Sequence, residues 1–273
     1  MQKEMKVHVP DPQLVSGSQR LSDERLNISV CMAVYNGAQY IREQVASILP
    51  QLRPDDEIVA VDDASQDTSV AILEGFHDNR IRIIRQAENR GVLRTFERAL
   101  REASGEIIFL ADQDDIWRED KVEKMTGMFI SCPDLTLVIS DASIIDAEGR
   151  IIGKSWFERR SYHPGLLRNL LQNGYLGCAM AFRRSLLKDC LPFPADTPMH
   201  DMWIGMVNRI VGKAGLIREA LMYYRRHGNN TASDKHSSMT QKLRWRYALV
   251  KNLTWCYLRK VKSVGNGSAT LGK

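Results

Sequence analysis

The chain has 273 residues, 44% hydrophobic and 26% charged, enough to enclose one substantial core without division into several domains. Five scattered cysteines (Cys31, Cys132, Cys178, Cys190, Cys256) with no CxxC pair, and an opening without a basic-then-apolar leader, read as reduced thiols in a cytoplasmic protein; no run approaches the roughly 18 uncharged apolar residues of a membrane-spanning helix. The net charge of +5 is unevenly held: residues 235–273 carry nine Lys or Arg and no Asp or Glu, leaving 29 basic against 33 acidic residues before them, and an acidic body with no recognised binding motif disfavours nucleic acid as a partner.

Residues 1–27 are polar and contain Pro10, Pro12, Ser16, Gly17 and Ser18, which predicts a loosely ordered extension. From Ile28 the texture changes to alternating strand and helix signals. Ile28 to Val34 reads as a strand, followed by a helix with Ile41, Val45, Ile48 and Leu49 on its apolar side. The pattern repeats: strand Glu57–Val61, helix Thr68–Phe76, strand Ile81–Arg85, helix Val92–Ala103 with Phe96, Ala99 and Leu100 on one face, strand Glu106–Ala111, helix Asp120–Ile130, strand Leu135–Ser140. Such a series predicts a parallel sheet. The second half is less regular, with helices expected over Leu166–Leu171 and His200–Val211 and a strand over Leu176–Phe182. From Met239 to about Lys262, Leu243, Tyr247, Val250, Thr254, Tyr257 and Val261 recur every three or four residues, widened by Trp245, Leu249 and Leu253, in a basic amphipathic helix. It suits an anionic membrane surface through residues 239–262, or simple packing on the domain with its basic side in water.

Polar clusters fall where the predicted strands end, the place where open α/β sheets bind ligands. Asp62-Asp63-Ala64-Ser65-Gln66-Asp67-Thr68 offers Asp63 to the imide N–H of a pyrimidine base, while Asp67 suits the start of the next helix. Asp112-Gln113-Asp114-Asp115 places three carboxylates in four residues; alone this is an exposed acidic loop, but their repulsion also suits a cation, and Mg²⁺ or Mn²⁺ takes carboxylate oxygens together with substrate phosphates. Asp201, at the start of a predicted helix, is either a first-turn carboxylate on the helix dipole or a general base. Tyr224-Arg225-Arg226-His227-Gly228-Asn229-Asn230 collects cations and an imidazole suited to phosphate and metal, or forms a polar loop. Arg85, Arg90 and Arg94 either approach a diphosphate or form a solvated basic face, with at most one, Arg94, assigned to the site. Tyr35-Asn36-Gly37-Ala38 is too poor in glycine for a phosphate loop, which disfavours a nucleotidyltransferase and a dehydrogenase.

Taken in order from about Ile28 to Ala232, the strings Ser29–Gly37, Val61-Asp62-Asp63-Ala64-Ser65, Asn89-Arg90-Gly91, Asp112-Gln113-Asp114-Asp115-Ile116-Trp117, Gly177–Phe182, His200-Asp201 and Tyr224-Arg225-Arg226-His227 resemble the family 2 glycosyltransferases. The resemblance implies a GT-A fold, a Rossmann-like and mostly parallel α/β sheet flanked by helices, spanning residues 28–234, with a nucleotide-binding half (28–118), an acceptor half (119–234) and a C-terminal amphipathic tail (235–273). It implies inverting, metal-dependent transfer from a nucleotide-sugar donor. Ala33, Val34, Tyr35, Asp63, Arg94, Asp112 and Gln113 would bind that donor, Asp114 and His227 with Asp112 would hold Mg²⁺ or Mn²⁺, and Asp201 would be the catalytic base. The family usually shows Glu-Asp where this chain has His200-Asp201, and that variant, with Asp-Gln-Asp-Asp-Ile-Trp and Arg-Arg-His-Gly-Asn-Asn, looks most like the rhamnosyltransferases of bacterial O-antigen and capsule synthesis. A dTDP-L-rhamnose or UDP-hexose donor and a saccharide or undecaprenyl-diphosphate-linked acceptor are what this branch implies, with the protein cytoplasmic or peripheral at the inner membrane; the rival reading is a nucleotide-sugar-binding protein without transfer activity, in which Asp201 is merely structural. Residues 141–163 and 191–198 are expected to meet the acceptor, because loops carry specificity.

Overall fold

The computed structural model describes residues 26–160, 165–171, 173–228 and 239–268. The polar extension expected over 1–27, apart from its last two residues, lies outside these, as do Asn229, Asn230, the boundary at 234 and the last five residues. Four strands form the first half: β1 (Ile28–Val34), β2 (Glu57–Asp62), β3 (Ile81–Arg85) and β4 (Ile107–Asp112), linked by α1 (Ile41–Ile48), α2 (Ser69–Glu74) and α3 (Val92–Glu102). They are parallel and lie side by side as β3-β2-β1-β4. β1, β2 and β4 are buried along almost their whole length, which is why they read as continuous apolar runs rather than alternating ones.

Beyond β4 come β5 (Ile116–Trp117), α4 (Lys121–Ser131), β6 (Leu137–Ile145), α5 (Trp156–Arg160), α6 (Leu166–Leu171), β7 (Met180–Arg183), α7 (Leu187–Cys190), α8 (His200–Val211), β8 (Ala214–Arg225) and α9 (Met239–Ser268). The sheet continues in the order β4-β7-β6-β8-β5. Here the parallel expectation gives way, because β7 runs antiparallel between β4 and β6 and the two-residue β5 runs antiparallel to β8. β6 is longer than its apolar core suggested: past Ser140 it stays paired with β8 through two register shifts, so Asp141 and Ser143 enter the strand despite their polarity.

Apolar layers cover both faces of the sheet. One gathers Ile41, Val45 and Ile48 of α1 with Leu73 of α2 and Val122 and Phe129 of α4. The other gathers Phe96, Ala99 and Leu100 of α3 with Trp203, Met206 and Val207 of α8 and Leu249 and Leu253 of α9. The strand expected from Leu176 begins only at Met180. Gly177–Ala179 form a tight 3-10 turn before it, and a side chain at Gly177 would stand 2.9 Å from His200 Nε2. Glycine there allows the turn to lie directly against the first residues of α8.

Candidate active site

The carboxyl ends of β1, β2 and β4 come level, with Ala33 beside Asp112 and Val34 beside Asp62 in register. Above that edge opens a cleft of 510 Å³, closed on its far side by α5, the Asn173–Gly177 stretch and the start of α8. Eight of the residues expected in the site line it: Ala33, Val34, Tyr35, Asp63, Asp112, Gln113, Asp114 and Asp201. His227 joins them through Asp114, its Nε2 lying 2.7 Å from Asp114 Oδ2. Arg94 does not. Its guanidinium pairs with Glu97 at 2.5 Å and donates to the Phe193 carbonyl at 3.3 Å, and the residue is absent from the cleft wall. A salt-bridge partner one turn along the same helix holds it there.

On the side of β1 and β2, the contacts are more committed than sequence could show. Asp63 is 2% exposed; the Arg90 and Gly91 amides donate to its two oxygens at 2.7 and 2.9 Å, and Gln86 Nε2 donates at 2.8 Å. It therefore fixes the turn that forms one wall. Gln113 grips the Tyr35 backbone from both sides, accepting from its N–H at 2.8 Å and donating to its carbonyl at 2.9 Å, which leaves the exposed Tyr35 ring presented at the mouth. Asp67, as expected, accepts from the first amide of α2 (Ser69 N, 2.9 Å) and also from Ala38 N.

At the centre, Asp112, Asp114 and Asp115 crowd together, and burial raises the pKa of all three carboxyls; their mutual repulsion adds to this for Asp112 and Asp115, while His227 partly offsets it for Asp114. Lys121 supplies a buried cation beneath them. Its Nζ donates to the Cys178 carbonyl at 2.6 Å and sits 4.1 Å from the Trp117 ring centroid, and burial lowers its pKa to about 8. Ligand atoms of Asp112, Asp115 and Cys178 lie within 4.8 Å of one another. Burial pushes the Cys178 thiol up, so it stays protonated, and Asp115 is fully enclosed. The donors facing the cleft are the Asp112 and Asp114 carboxylates with the His227 imidazole behind Asp114, an oxygen-rich set that fits a hard divalent cation.

Arg225, offered by sequence to phosphate, is instead a clamp. It is 2% exposed; its N–H donates to Asp115 Oδ1 at 2.9 Å, Nε to the Asp114 carbonyl at 2.8 Å, one terminal nitrogen to the Ala147 carbonyl at 3.0 Å and the other to Glu43 at 2.5 Å. The twelve-residue β8 carries it, and His227 just beyond, to the loop after β4.

Across the cleft stands Asp201, in the first turn of α8. Met199 is the N-cap and makes no side-chain cap; the Asp201 carboxylate accepts from the Met202 N–H of its own first turn at 2.5 Å and from Asn173 Nδ2 at 3.3 Å, and lines the cleft. Burial raises its pKa to about 6. His200 beside it is 3% exposed and stacked on Phe96 with ring centroids 4.0 Å apart; burial lowers its pKa to about 3 and keeps it neutral. Sequence did not single out Asn173, Trp156 or Arg160, which also line the cleft. The Arg160 guanidinium lies 4.9 Å from the Trp156 ring centroid. The only sequence signal for Trp156 and Arg160 was their place in the irregular 141–163 segment; Asn173 lies between the helix and the strand expected after it.

A four-strand parallel core continued by a mixed half, with carboxylates at the shared strand ends and a lone base candidate opposite, defines a GT-A-type domain. Its fold is that of S. aureus TarS in complex with UDP-GlcNAc, at a TM-score of 0.62 and 21% identity over 78% of this chain and 62% of that one. It is also that of a mannosyltransferase from Pyrobaculum calidifontis in complex with GDP-Man and Mn²⁺, at 0.54 and 19% over 90% and 76%. The chain spans about six tenths of that TarS chain. The glycosyl transferase family 2 model matches residues 29–191, and the chain belongs to that family. Curated relatives include an uncharacterized glycosyltransferase of Nostoc, 29% identical over 79% of this chain and 70% of its own length. TuaG of Bacillus subtilis, whose name assigns it to teichuronic acid biosynthesis, is 26% identical over 86% and 95%. The Escherichia coli UDP-Glc:alpha-D-GlcNAc-diphosphoundecaprenol beta-1,3-glucosyltransferase WfgD is 29% identical over 61% and 64%.

Proposed function

We propose that the protein transfers a sugar, with inversion, from a nucleotide-sugar donor to a saccharide or undecaprenyl-diphosphate-linked acceptor in bacterial surface-polysaccharide synthesis. The observation that carries this reading is the opposition of two chemistries across one cleft: the Asp112–Asp114–His227 group on the sheet edge and the buried Asp201 on α8. The names of TuaG and WfgD support the pathway class and the lipid-linked acceptor.

In this reading Ala33, Val34 and Tyr35 receive the base, with Asp63 and Gln113 holding that wall in shape. Asp112 and Asp114, supported by His227, hold Mg²⁺ or Mn²⁺, which when bound neutralises the diphosphate leaving group. Asp201 accepts the proton from the acceptor hydroxyl as that oxygen bonds to the anomeric carbon and the carbon–oxygen bond to the diphosphate breaks. Attack from the face opposite the leaving group inverts the anomeric centre. Asn173 orients the Asp201 carboxylate, and Arg160 on Trp156 offers a cation on the acceptor side.

The donor proposed is dTDP-L-rhamnose, supported by the His200-Asp201 pair and the Asp-Gln-Asp-Asp-Ile-Trp string. A UDP-hexose is the second reading, favoured by the donors named for WfgD and for the TarS complex. The test is a thermal-shift screen of dTDP-rhamnose, UDP-glucose, UDP-galactose, UDP-N-acetylglucosamine and GDP-mannose, each with Mn²⁺, Mg²⁺ or EDTA, since a ligand of the native state raises the melting temperature. A metal-dependent rise with one donor identifies it; no rise with any of them removes the reading.

A further inference from the structure

Helix α9 packs on the domain through a face other than the one its apolar spacing singles out. Ala248, Leu249, Leu253 and Cys256 are buried, the last three within the layer that includes Trp203 and Val207 of α8, and Lys260 Nζ anchors the far end on the Ile210 carbonyl at 2.5 Å. The other apolar set, Leu243, Tyr247, Val250, Tyr257, Leu258 and Val261, is 48% to 73% exposed. At about 100° per residue these six fall within about a third of the helix circumference. A contiguous apolar stripe of this kind marks an interaction surface, whereas single exposed apolar residues do not.

The charge around the stripe identifies what covers it. Arg246 follows one edge, Arg244 and Lys251 the other, and Arg259 lies further round, 4.6 Å from the Trp255 ring centroid. No carboxylate occurs anywhere from residue 235 to the end of the sequence. A second copy laid against the stripe would bring these cations together, whereas lipid phosphates would neutralise them. Among the described residues no helix is long and apolar enough to cross a membrane; an amphipathic helix that meets a bilayer lies in the interfacial plane.

We propose that α9 docks the protein on an anionic bilayer, with the six apolar side chains at the headgroup–acyl boundary and Arg244, Arg246 and Lys251 among the phosphates. Because α9 packs on α8, whose first turn carries Asp201, docking holds the cleft at the lipid surface. That benefit rests on the lipid-linked acceptor proposed above; the docking itself does not.

The experiment is sedimentation of the full chain with vesicles of phosphatidylcholine, with and without phosphatidylglycerol. Two variants accompany it: Tyr247→Ser with Val250→Ser and Tyr257→Ser, all at exposed positions, and Arg244→Gln with Lys251→Gln. The wild type is expected to bind only the phosphatidylglycerol vesicles and to be released by raised salt, with each variant binding at least about tenfold more weakly. Absence of wild-type binding, or equal binding to both vesicles, overturns the proposal. So does a wild-type dimer in sedimentation equilibrium that the triple serine variant converts to monomer, which would make the stripe an interface between copies. Transfer to a water-soluble acceptor is expected to survive in the serine variant, so loss of transfer in the wild type counts against the proposed function alone.

Discussion

His227 Nε2 and Asp114 Oδ2 stand 2.7 Å apart although 113 residues separate them in the chain. The contact joins the loop after β4 to the end of β8, and both side chains are nearly enclosed, at 12% and 13% exposed. An imidazole so placed, with Nε2 against the carboxylate, fixes the orientation of Asp114.

The two residues should therefore fail together. Asp114→Ala is expected to abolish the Mn²⁺-dependent part of nucleoside-diphosphate binding, and His227→Ala to weaken it by about 10- to 100-fold, the range for a group that supports a metal ligand. Isothermal titration in Mn²⁺ and in EDTA measures both. An Asp114→Ala protein that keeps its full Mn²⁺ dependence would take Asp114 out of the metal site.

Asp201→Asn separates chemistry from binding. The amide keeps the shape and can still accept from Asn173, so donor affinity is expected to change less than about threefold while turnover falls by at least about 10²-fold, the contribution of a general base. The same change should stabilise the fold. Asp201 ionises near pH 6 in the native protein and near its ordinary value of 3.8 when unfolded, so the native state binds its proton more tightly. Stability from this group is full below about pH 4 and lost as pH rises through about 6; at pH 7.5 the ionised carboxylate costs at most about 3 kcal/mol. Asp201→Asn removes that cost, and a higher melting temperature at pH 7.5 but not at pH 4 is the expected readout.

The pH dependence of kcat follows from the same residue. Asp201 must be ionised to accept a proton, so activity is expected to fall as pH drops through about 6. His200 cannot supply that limb, since burial keeps it neutral down to about pH 3. His200→Gln should thus retain the acidic limb wherever it retains activity. A limb that vanished in that variant would assign the titration to the imidazole.

The regular elements were legible because their signals are local. α8 begins and ends where its sequence pattern places it, β1 to β4 follow their apolar runs to within a residue, and the cleft gathers polar clusters that each close a strand. What escaped was set by distant partners. β7 is too short to announce its antiparallel direction, and β5 exists only because β8 pairs with it. Arg225 is held by the Asp114 carbonyl and Glu43, both far from it in the chain; Arg94 is the exception, since its partner Glu97 lies three residues along the same helix and was in view. In α9 the periodic apolar positions were visible, but which of two apolar faces meets the domain depends on the shape of α8, and the more regular one is turned outward.

Arg225 gives the sharpest test of how the acidic loop is built. Its side chain is 3% exposed and its partners come from three separate segments: Glu43 on α1, the Asp114 carbonyl after β4 and the Ala147 carbonyl after β6. Truncation to alanine leaves the Asp114 and Ala147 carbonyls without their donor and removes a cation beside a crowded group of carboxylates, a loss of about 1–3 kcal/mol for acceptors left unsatisfied, while the half-exposed Glu43 carboxylate returns to water. Arg225→Lys keeps the charge but cannot reach all three acceptors at once, because an ammonium lacks the planar fork. Urea unfolding is expected to rank wild type above Arg225→Lys above Arg225→Ala. At a temperature where all three are folded, metal-dependent donor binding should follow the same order, since the backbone of Asp114 is what the fork holds. If Arg225→Lys matched the wild type in both measurements, charge alone would account for the residue and the clamp would not.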